Sequence, residues 1–378
     1  MTGIPVHLDI IFAIVGFVVL AEACRRVVGL PILCVVGAFV VYALFYGVRP
    51  LRLLQELFYA GNGITSNPLA ICAQYLALFI IFGSFLEKTG IGTFFVDLAN
   101  SIAGWAAGGP AKVAVVVSAM EGMVSGSSVA NTVGSGSVTI PLMKKTGYKP
   151  EFAAAAEASA STGGQIMPPI MGAAAFLMAD YVQIPYSQIA LKAILPAVLY
   201  FAGIFIAVHL EAKKMGLRGL TKEELPRLKP LLKKVYLLLP LILLVYLVST
   251  STRSIAYAAA IAIVVAILVS LINKDDRLTP KRFLEALAAG GQGMITVAAA
   301  CGIAGIIAGT ITMTGLANTL INGIVALANG KVIIALFLTM LCCIVLGMGV
   351  PTTANYCIMA ATCAPILMSP QIGIPRVC

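Results

Sequence analysis

Long apolar runs recur along the whole chain and limit what it can fold into. The clearest lie at residues 69–86, 189–208, 235–248 and 255–272. A segment that crosses the hydrocarbon core of a bilayer needs about 20 apolar residues, and these runs reach or approach that length. Because lipid offers no hydrogen-bond partners to the backbone, such segments have to be helices. The sequence therefore predicts an all-α, polytopic membrane protein.

Composition and charge agree with this class. Of the 378 residues 60% are hydrophobic and only 11% are charged, whereas a soluble domain carries about a quarter charged residues. The net charge is +10, with basic residues gathered at 144–149, 211–234 and 273–282. Basic loops stay on the cytoplasmic side, so we predict a multi-pass protein of the bacterial inner membrane that contacts lipid and not nucleic acid. The nine cysteines show no ligand spacing, which predicts no transition-metal site.

A short apolar segment followed by a polar run predicts a hairpin at 109–143. Residues 111–124 are apolar, but as a helix they would span only about 21 Å, which is too short to cross a bilayer. The Gly/Ser-rich run 125–132 follows, and the chain then reaches the basic pair Lys144-Lys145. A half-helix, a polar tip and a return are typical of a re-entrant hairpin. Polar backbone at membrane depth is tolerated only where protein buries it or where it lines an aqueous cavity.

The next segment, 150–181, predicts a discontinuous transmembrane helix. Two helical halves are separated by residues 162–169, which contain two glycines and two prolines. Proline lacks an amide donor and glycine lacks a side chain, so together they interrupt a helix.

The same pattern recurs later in the chain at a constant spacing. Thr89-Gly90 recurs as Thr314-Gly315, Gly122-Met123 as Gly347-Met348, and Ser127-Ser128 as Thr352-Thr353, while Asn131 is matched by Asn355 one residue out of register. The second half of the chain is therefore expected to contain an arm at 280–290, a separate crossing at 291–313 and a further arm at 316–328. A second hairpin is expected to follow at 331–368. Five predicted crossings separate the hairpins, so they enter from opposite faces as an inverted repeat. Inverted repeats with interrupted helices are typical of secondary transporters, which bind ions and substrate at the breaks.

These features divide the chain into four expected parts. They are a helix pair and arm at 1–67, a first repeat at 68–210, a basic loop with scaffold helices at 211–279, and a second repeat at 280–378. The counterpart of the broken helix would fall near residues 387–394, beyond Cys378. We therefore expect the chain to be incomplete at its C-terminus.

Three motifs resemble those of one transporter family. They are Gly-Ser-Ser-Val-Ala-Asn at 126–131, Ala-Ser-Thr-Gly-Gly-Gln-Ile-Met-Pro-Pro-Ile-Met-Gly-Ala at 160–173, and Gly-Val-Pro-Thr-Thr-Ala-Asn at 349–355. The chain resembles, over 9–370, the large membrane subunit of tripartite ATP-independent periplasmic (TRAP) transporters of the TAXI-associated type. The resemblance implies import of an organic acid, such as a C4-dicarboxylate, coupled to Na⁺ or alternatively to H⁺, and an elevator motion.

The same resemblance implies partners, and the sequence contains no motif for which a cofactor is expected. A periplasmic TAXI-type binding protein would deliver the organic anion, and a small membrane subunit would be fused or separate. Residues 9–47 are the only part of the chain that would represent the end of a fused small subunit.

The breaks supply the candidate site residues. Na⁺ prefers oxygen ligands, and unwound carbonyls, hydroxyls and amides provide them without a buried charge. The expected ion ligands are Ser127, Ser128, Asn131, Gly163, Gly164 and Gln165 in the first repeat, and Thr352, Thr353 and Asn355 in the second. The expected substrate-cavity residues are Gly126, Met167, Pro168, Gly349 and Pro351. The alternative is that these small residues only allow close helix packing.

Other interpretations remain open on sequence alone. Glu121 departs from the family pattern, and it faces a cavity or reaches toward the interface; Glu157 is either proton-linked or structural. No nucleophile–base set supports an enzyme. An ion channel would not need two inverted hairpins, and a stand-alone sodium/dicarboxylate carrier would need no binding protein.

Overall fold

The computed structural model of the chain describes residues 7–220, 223, 225–226, 228–250, 254–273, 276–316, 319, 323, 331–348 and 351–362. Within these ranges every regular element is a helix, which confirms the predicted all-α class. The helices, in chain order, are α1 (His7–Val27), α2 (Leu30–Phe45), α3 (Pro50–Phe58), α4 (Asn67–Ile71), α5 (Ala77–Lys88), α6 (Ile91–Ala103), α7 (Gly109–Ser125), α8 (Ser128–Lys145), α9 (Pro150–Gly163), α10 (Ala173–Val182), α11 (Tyr186–Lys214), α12 (Leu228–Leu232), α13 (Leu239–Thr250), α14 (Ile255–Ile272), α15 (Pro280–Thr314), α16 (Val332–Gly347) and α17 (Thr352–Thr362).

Among the described residues, five helical segments are long and apolar enough to cross a membrane. They are α1, the continuous helix formed by α4, a π-helical turn and α5, and then α11, α14 and α15. Side chains on α1 and α11 are largely exposed although they are apolar. Such surfaces are stable where lipid covers them, so the predicted polytopic membrane class is supported.

The helix α15 corrects one expectation. The sequence predicted an arm at 280–290 and a separate crossing from Gly291, but α15 runs without a break from Pro280 to Thr314. The glycines at this point do not end the helix. A Cβ at Gly290 would lie 3.1 Å from the Cα of Ile81, so this glycine allows the close approach of two helices.

The interruption after α9 begins later than the sequence predicted. Gly163 and Gly164 keep helical backbone angles (φ −61° and −56°), and a 3₁₀ turn continues to Ile166. The backbone is non-helical at 167–172, where Pro168 and Pro169 lack amide donors and Met171 has a φ of 56°. The prolines therefore end the helix, and the glycines do not.

Both predicted hairpins appear as helix pairs. The first is formed by α7 and α8, and the second by α16 and α17. Their re-entrant placement in a membrane stays a prediction. The tip residues 349–350, the hairpin end 363–368 and most of the predicted arm 316–328 lie outside the described residues.

The chain forms two compact units. The first draws on residues 1–76, 176–183 and 292–378, and the second on 77–175 and 184–291. One core cluster of the second unit lies where α7, α8, α9 and α11 pack together. It is rich in alanine and consists of Ala111, Ala114, Val115, Met143, Tyr148, Ala153, Ala156, Ala160, Val208 and Ala212. Small side chains let these helix backbones approach closely.

The continuity of α15 can be tested at Gly291, where an added Cβ would meet no atom within 4 Å. Gly291→Ala is expected to raise the free energy of unfolding by up to about 1 kcal/mol, because alanine favours a helix interior. Gly291→Pro is expected to lower it by about 3 kcal/mol. Unfolding in detergent measures both changes. Gly290→Ala is the control, and its free energy of unfolding is not expected to rise because the added methyl group would be crowded by Ile81. An unchanged free energy of unfolding for Gly291→Pro would contradict a continuous helix.

Candidate functional site

The tip of the first hairpin is a tight turn between α7 and α8. Only two residues separate the helices, and Gly126 has a φ of +59°, which favours glycine. The Ser127 side chain caps α8 by accepting a hydrogen bond from the backbone N–H of Ala130 at 3.3 Å. The Ser127 hydroxyl thus has a local structural role in addition to any ion contact.

The hairpin contacts the interrupted segment backbone to backbone. A Cβ on Gly122 would overlap the Cα of Gly164, and a Cβ on Gly126 would overlap the carbonyl oxygen of Met171. The Gly172 N–H donates to the Gln165 carbonyl at 2.7 Å and closes the non-helical loop. The glycines are therefore required by the close contact of α7 with residues 164–172.

Polar side chains of the expected ion site meet at this contact. Gln165 Nε2 donates to Ser128 Oγ at 2.9 Å. Asn131 is buried, and its Nδ2 donates to the Ser118 carbonyl oxygen at 2.8 Å and lies beside Gly164. The structure thus brings together Ser128, Asn131, Gly164 and Gln165.

Gly163 lies on another side of the helix. A Cβ there would meet the rings of Tyr200 and Phe201, so the position is explained by packing against α11. Met167 is half-buried. Pro168 lines a small, mainly apolar cavity of about 220 Å³ with Pro169 and residues of α11 and α13.

A larger cavity of about 390 Å³ lies beside the first hairpin. Its lining includes Asn131 and three carboxylates, Glu87 from α5, Asp97 from α6 and Glu121 from α7, and none of its described lining residues is basic. The carboxylate of Glu121 lies between Gly92 and Gly134. A Cβ added to Gly92 would lie 3.2 Å from Glu121 Oε1, and a Cβ added to Gly134 would lie 3.1 Å from Oε2. The sequence singled out Glu121 but missed the other two acids, which lie on different helices.

The second unit also contains a polar cluster around Glu157 that sequence reasoning missed. The cluster consists of Glu157 of α9 and four hydroxyl groups, those of Ser118, Ser135, Thr139 and Ser161. All five side chains are fully or almost fully buried. Spacings of four residues within α8 (135 and 139) and within α9 (157 and 161) place these groups on common faces and could have indicated the cluster.

The second hairpin offers a matching amide. Thr353 is buried, Thr352 is exposed, and the Asn355 N–H donates to the carbonyl oxygen of Pro351 at 2.9 Å. Asn355 Oδ1 is buried and has no hydrogen-bond partner among the described residues. A Cβ added to Gly347 would lie 3.0 Å from Asn355 Nδ2, so the amide packs against this glycine. A buried amide oxygen of this kind can accept a hydrogen bond or coordinate a cation.

Comparison with known proteins identifies the relatives of the chain. The family described as "Tripartite ATP-independent periplasmic transporter, DctM component" matches residues 14–377. The C4-dicarboxylate TRAP transporter large permease protein DctM of Vibrio cholerae is 31% identical over 50% of this chain and 40% of its own length. The protein of the same name from Pseudomonas aeruginosa is 26% identical over 56% and 50%.

A third relative carries a different substrate in its name. The isethionate TRAP transporter permease protein DctMQ of Oleidesulfovibrio alaskensis is 24% identical over 93% of this chain and 54% of its own length. The chain thus spans about half the length of the curated relatives that it matches.

The contact of Gly122 with Gly164 generates a stability prediction. Gly122→Ala is expected to lower the free energy of unfolding by about 1–3 kcal/mol, because the added methyl overlaps backbone that cannot move aside as a side chain would. Thermal or denaturant unfolding in detergent measures the loss. Gly203→Ala in α11 is the matched control, since an added Cβ there meets nothing within 4 Å. Equal stability of the two variants would contradict the backbone contact.

Proposed function

Because the chain belongs to the DctM component family of the tripartite ATP-independent periplasmic transporters, we propose that it is the membrane permease of an ion-coupled importer of an organic acid. The observation that carries the proposal is the contact of the first hairpin tip with the interrupted helix, where Asn131, Ser128 and Gln165 meet. Breaks of this kind supply ion and substrate ligands in secondary transporters.

The first proposed Na⁺ site uses neutral oxygens at this contact. Ser128 and Asn131 contribute a hydroxyl and an amide from α8, and Gln165 and the backbone of residues 164–172 contribute the other side. Because Asn131 Nδ2 is held by the Ser118 carbonyl, the Asn131 amide oxygen is the atom available to a cation. Neutral ligands suit a transporter, since the ion has to leave as well as bind.

The second proposed Na⁺ site is at Asn355, with Thr352 and Thr353. Its support is the buried Asn355 Oδ1, which has no partner among the described residues. An unpaired buried acceptor costs about 1–3 kcal/mol, and a bound cation would satisfy it.

The cavity beside the first hairpin favours a cation over an anion. The charged side chains among its described lining residues are all carboxylates, and Asn131 lies in its wall. A cleft with one sign of charge raises the local concentration of the opposite ion. In this proposal the organic anion therefore binds elsewhere, at helix N-termini that follow the breaks. Gly126, Met167 and Pro168 are the proposed surroundings in the first repeat, and Gly349, which lies outside the described residues, and Pro351 are those in the second.

The substrate class is a small organic anion. Two relatives are named for C4-dicarboxylates and one for isethionate, so carboxylates and a sulfonate are both candidates. A periplasmic binding protein of the TAXI type delivers the anion, and a small membrane subunit completes the permease in the bacterial inner membrane. The DctMQ relative is consistent with a fused small subunit. The hairpin and α9 would move together in an elevator motion, as their backbone contact favours.

Ion binding can be tested on the purified chain. Na⁺ is expected to raise the melting temperature in detergent relative to K⁺, and Asn131→Ala or Asn355→Ala to raise the half-saturating Na⁺ concentration about tenfold, because each removes one oxygen ligand. Asn62→Ala, which removes an exposed amide, is the control. Identical Na⁺ and K⁺ curves for the unaltered protein would contradict the sodium sites.

Transport is tested in proteoliposomes that also contain the small subunit and the binding protein. Uptake of labelled succinate or isethionate is expected to need an inward Na⁺ gradient, and with Asn131→Ala it is expected to need about tenfold more Na⁺ for half-maximal uptake. If a pH gradient drives uptake and Na⁺ has no effect on it, the coupling ion is H⁺ and not Na⁺. Uptake without the binding protein would favour a stand-alone carrier.

A further inference from the structure

A fully buried carboxylate, Glu157 of α9, lies among hydroxyl groups from three helices. Oε1 accepts hydrogen bonds from Ser118 of α7 at 2.9 Å, from Ser161 of α9 at 3.2 Å, and from Ser135 of α8. Oε2 accepts from Thr139 of α8 at 2.5 Å. Both oxygens are therefore satisfied inside the protein.

The described part of the chain places no Lys or Arg in an ion pair with Glu157. A buried charge without a partner is unfavourable, so the hydroxyls have to replace the water that the carboxylate has lost. Hydrogen bonds to a charged acceptor are about twice as strong as neutral ones. Glu157 therefore holds these hydroxyls in fixed orientations.

Two of the hydroxyl-bearing residues also contact Asn131. The Ser118 backbone carbonyl accepts from Asn131 Nδ2 at 2.8 Å. Ser135 Oγ lies 2.7 Å from the Asn131 carbonyl oxygen and 3.4 Å from Asn131 Oδ1, as well as beside Glu157. Ser135 has one hydroxyl proton. When Ser135 donates its hydrogen bond to Glu157, Asn131 Oδ1 keeps its lone pairs for another ligand.

We propose that Glu157 is a positioning residue for the first ion site: through Ser118 and Ser135 it orients the Asn131 amide so that Oδ1 remains available to a monovalent cation. This inference rests on the proposed function. Glu157 does not touch the ion, and it acts as a hydrogen-bond acceptor. Its carboxylate also ties α7, α8 and α9 together, so the orientation of Asn131 is fixed relative to residues 164–172.

The test measures the half-saturating Na⁺ concentration for thermal stabilisation of the whole chain in detergent, and the melting temperature without Na⁺. Glu157→Leu removes the acceptor at similar volume, and it is expected to raise the half-saturating concentration about tenfold. Glu157→Gln is expected to stay within about threefold, because its amide oxygen still accepts from Ser118 and Ser135 while its NH₂ donates to Thr139. Thr139→Val is the matched control. It removes the contact at Oε2 and the hydrogen bond from the Thr139 hydroxyl to the Ser135 carbonyl oxygen, but it leaves the contacts of Ser118 and Ser135 with Oε1, and it is also expected to stay within about threefold.

A purely structural role gives a different result. Glu157→Leu would then lower the melting temperature without Na⁺ but leave the half-saturating concentration unchanged, and this would overturn the proposal while the ion site stands. An equal rise in the half-saturating concentration with Glu157→Gln would overturn it too, because a hydrogen-bond acceptor at this position would then not be sufficient to orient Asn131. If Asn131→Ala leaves the Na⁺ response unchanged, the ion site itself fails and the proposal with it.

A second variant keeps the test decisive if Glu157→Leu does not fold. Ser118→Ala combined with Ser135→Ala removes the two hydroxyls through which Glu157 holds Ser118 and Ser135, the residues that contact Asn131, and it keeps the carboxylate. The half-saturating Na⁺ concentration is expected to rise in this variant. An unchanged value would contradict the proposed link.

Discussion

Backbone polar groups that lack helical partners have to be satisfied inside the protein when lipid surrounds it, and the second unit is arranged around this constraint. The non-helical residues 167–172 are closed by the hydrogen bond from Gly172 N–H to the Gln165 carbonyl and are covered by the hairpin tip at Gly126. The tip can approach only because Gly122 and Gly164 have no side chains. The proposed ion site consists of backbone and small polar groups because it lies at the same contact.

Periodicity and composition predicted the apolar helices, the two hairpins and the existence of the break, because each depends on local sequence. They misplaced the helix end after α9 and wrongly divided α15, since glycine permits a helix that proline does not. Whether a glycine ends a helix depends on what packs against it. Ile81 beside Gly290 belongs to a helix distant in the sequence, so no local pattern contains this information.

The sequence placed Ser128, Asn131, Gly164 and Gln165 of the first expected ion site together, and in the structure they lie close to one another, while their role as ion ligands stays a prediction. It did not anticipate that Ser127 caps α8 or that Gly163 packs against Tyr200. It also missed the hydroxyls around Glu157. Serine and threonine are common in membrane helices, and only the packing of α7, α8 and α9 shows that four of them converge on one carboxylate.

The placement of charge around Asn131 is consistent with reversible ion binding. A carboxylate in direct contact with Na⁺ would hold the ion strongly in a low-dielectric interior, since unit charges there attract far more than in water. In this arrangement the buried charge of Glu157 is shared among four hydroxyls, and only neutral oxygens remain at the contact of the hairpin with residues 164–172. In the proposed arrangement the carboxylate fixes the geometry of the amide, and the amide oxygen contacts the ion. When a charged group orients the ligand and a neutral group contacts the ion, the site is well ordered and can still release its ion.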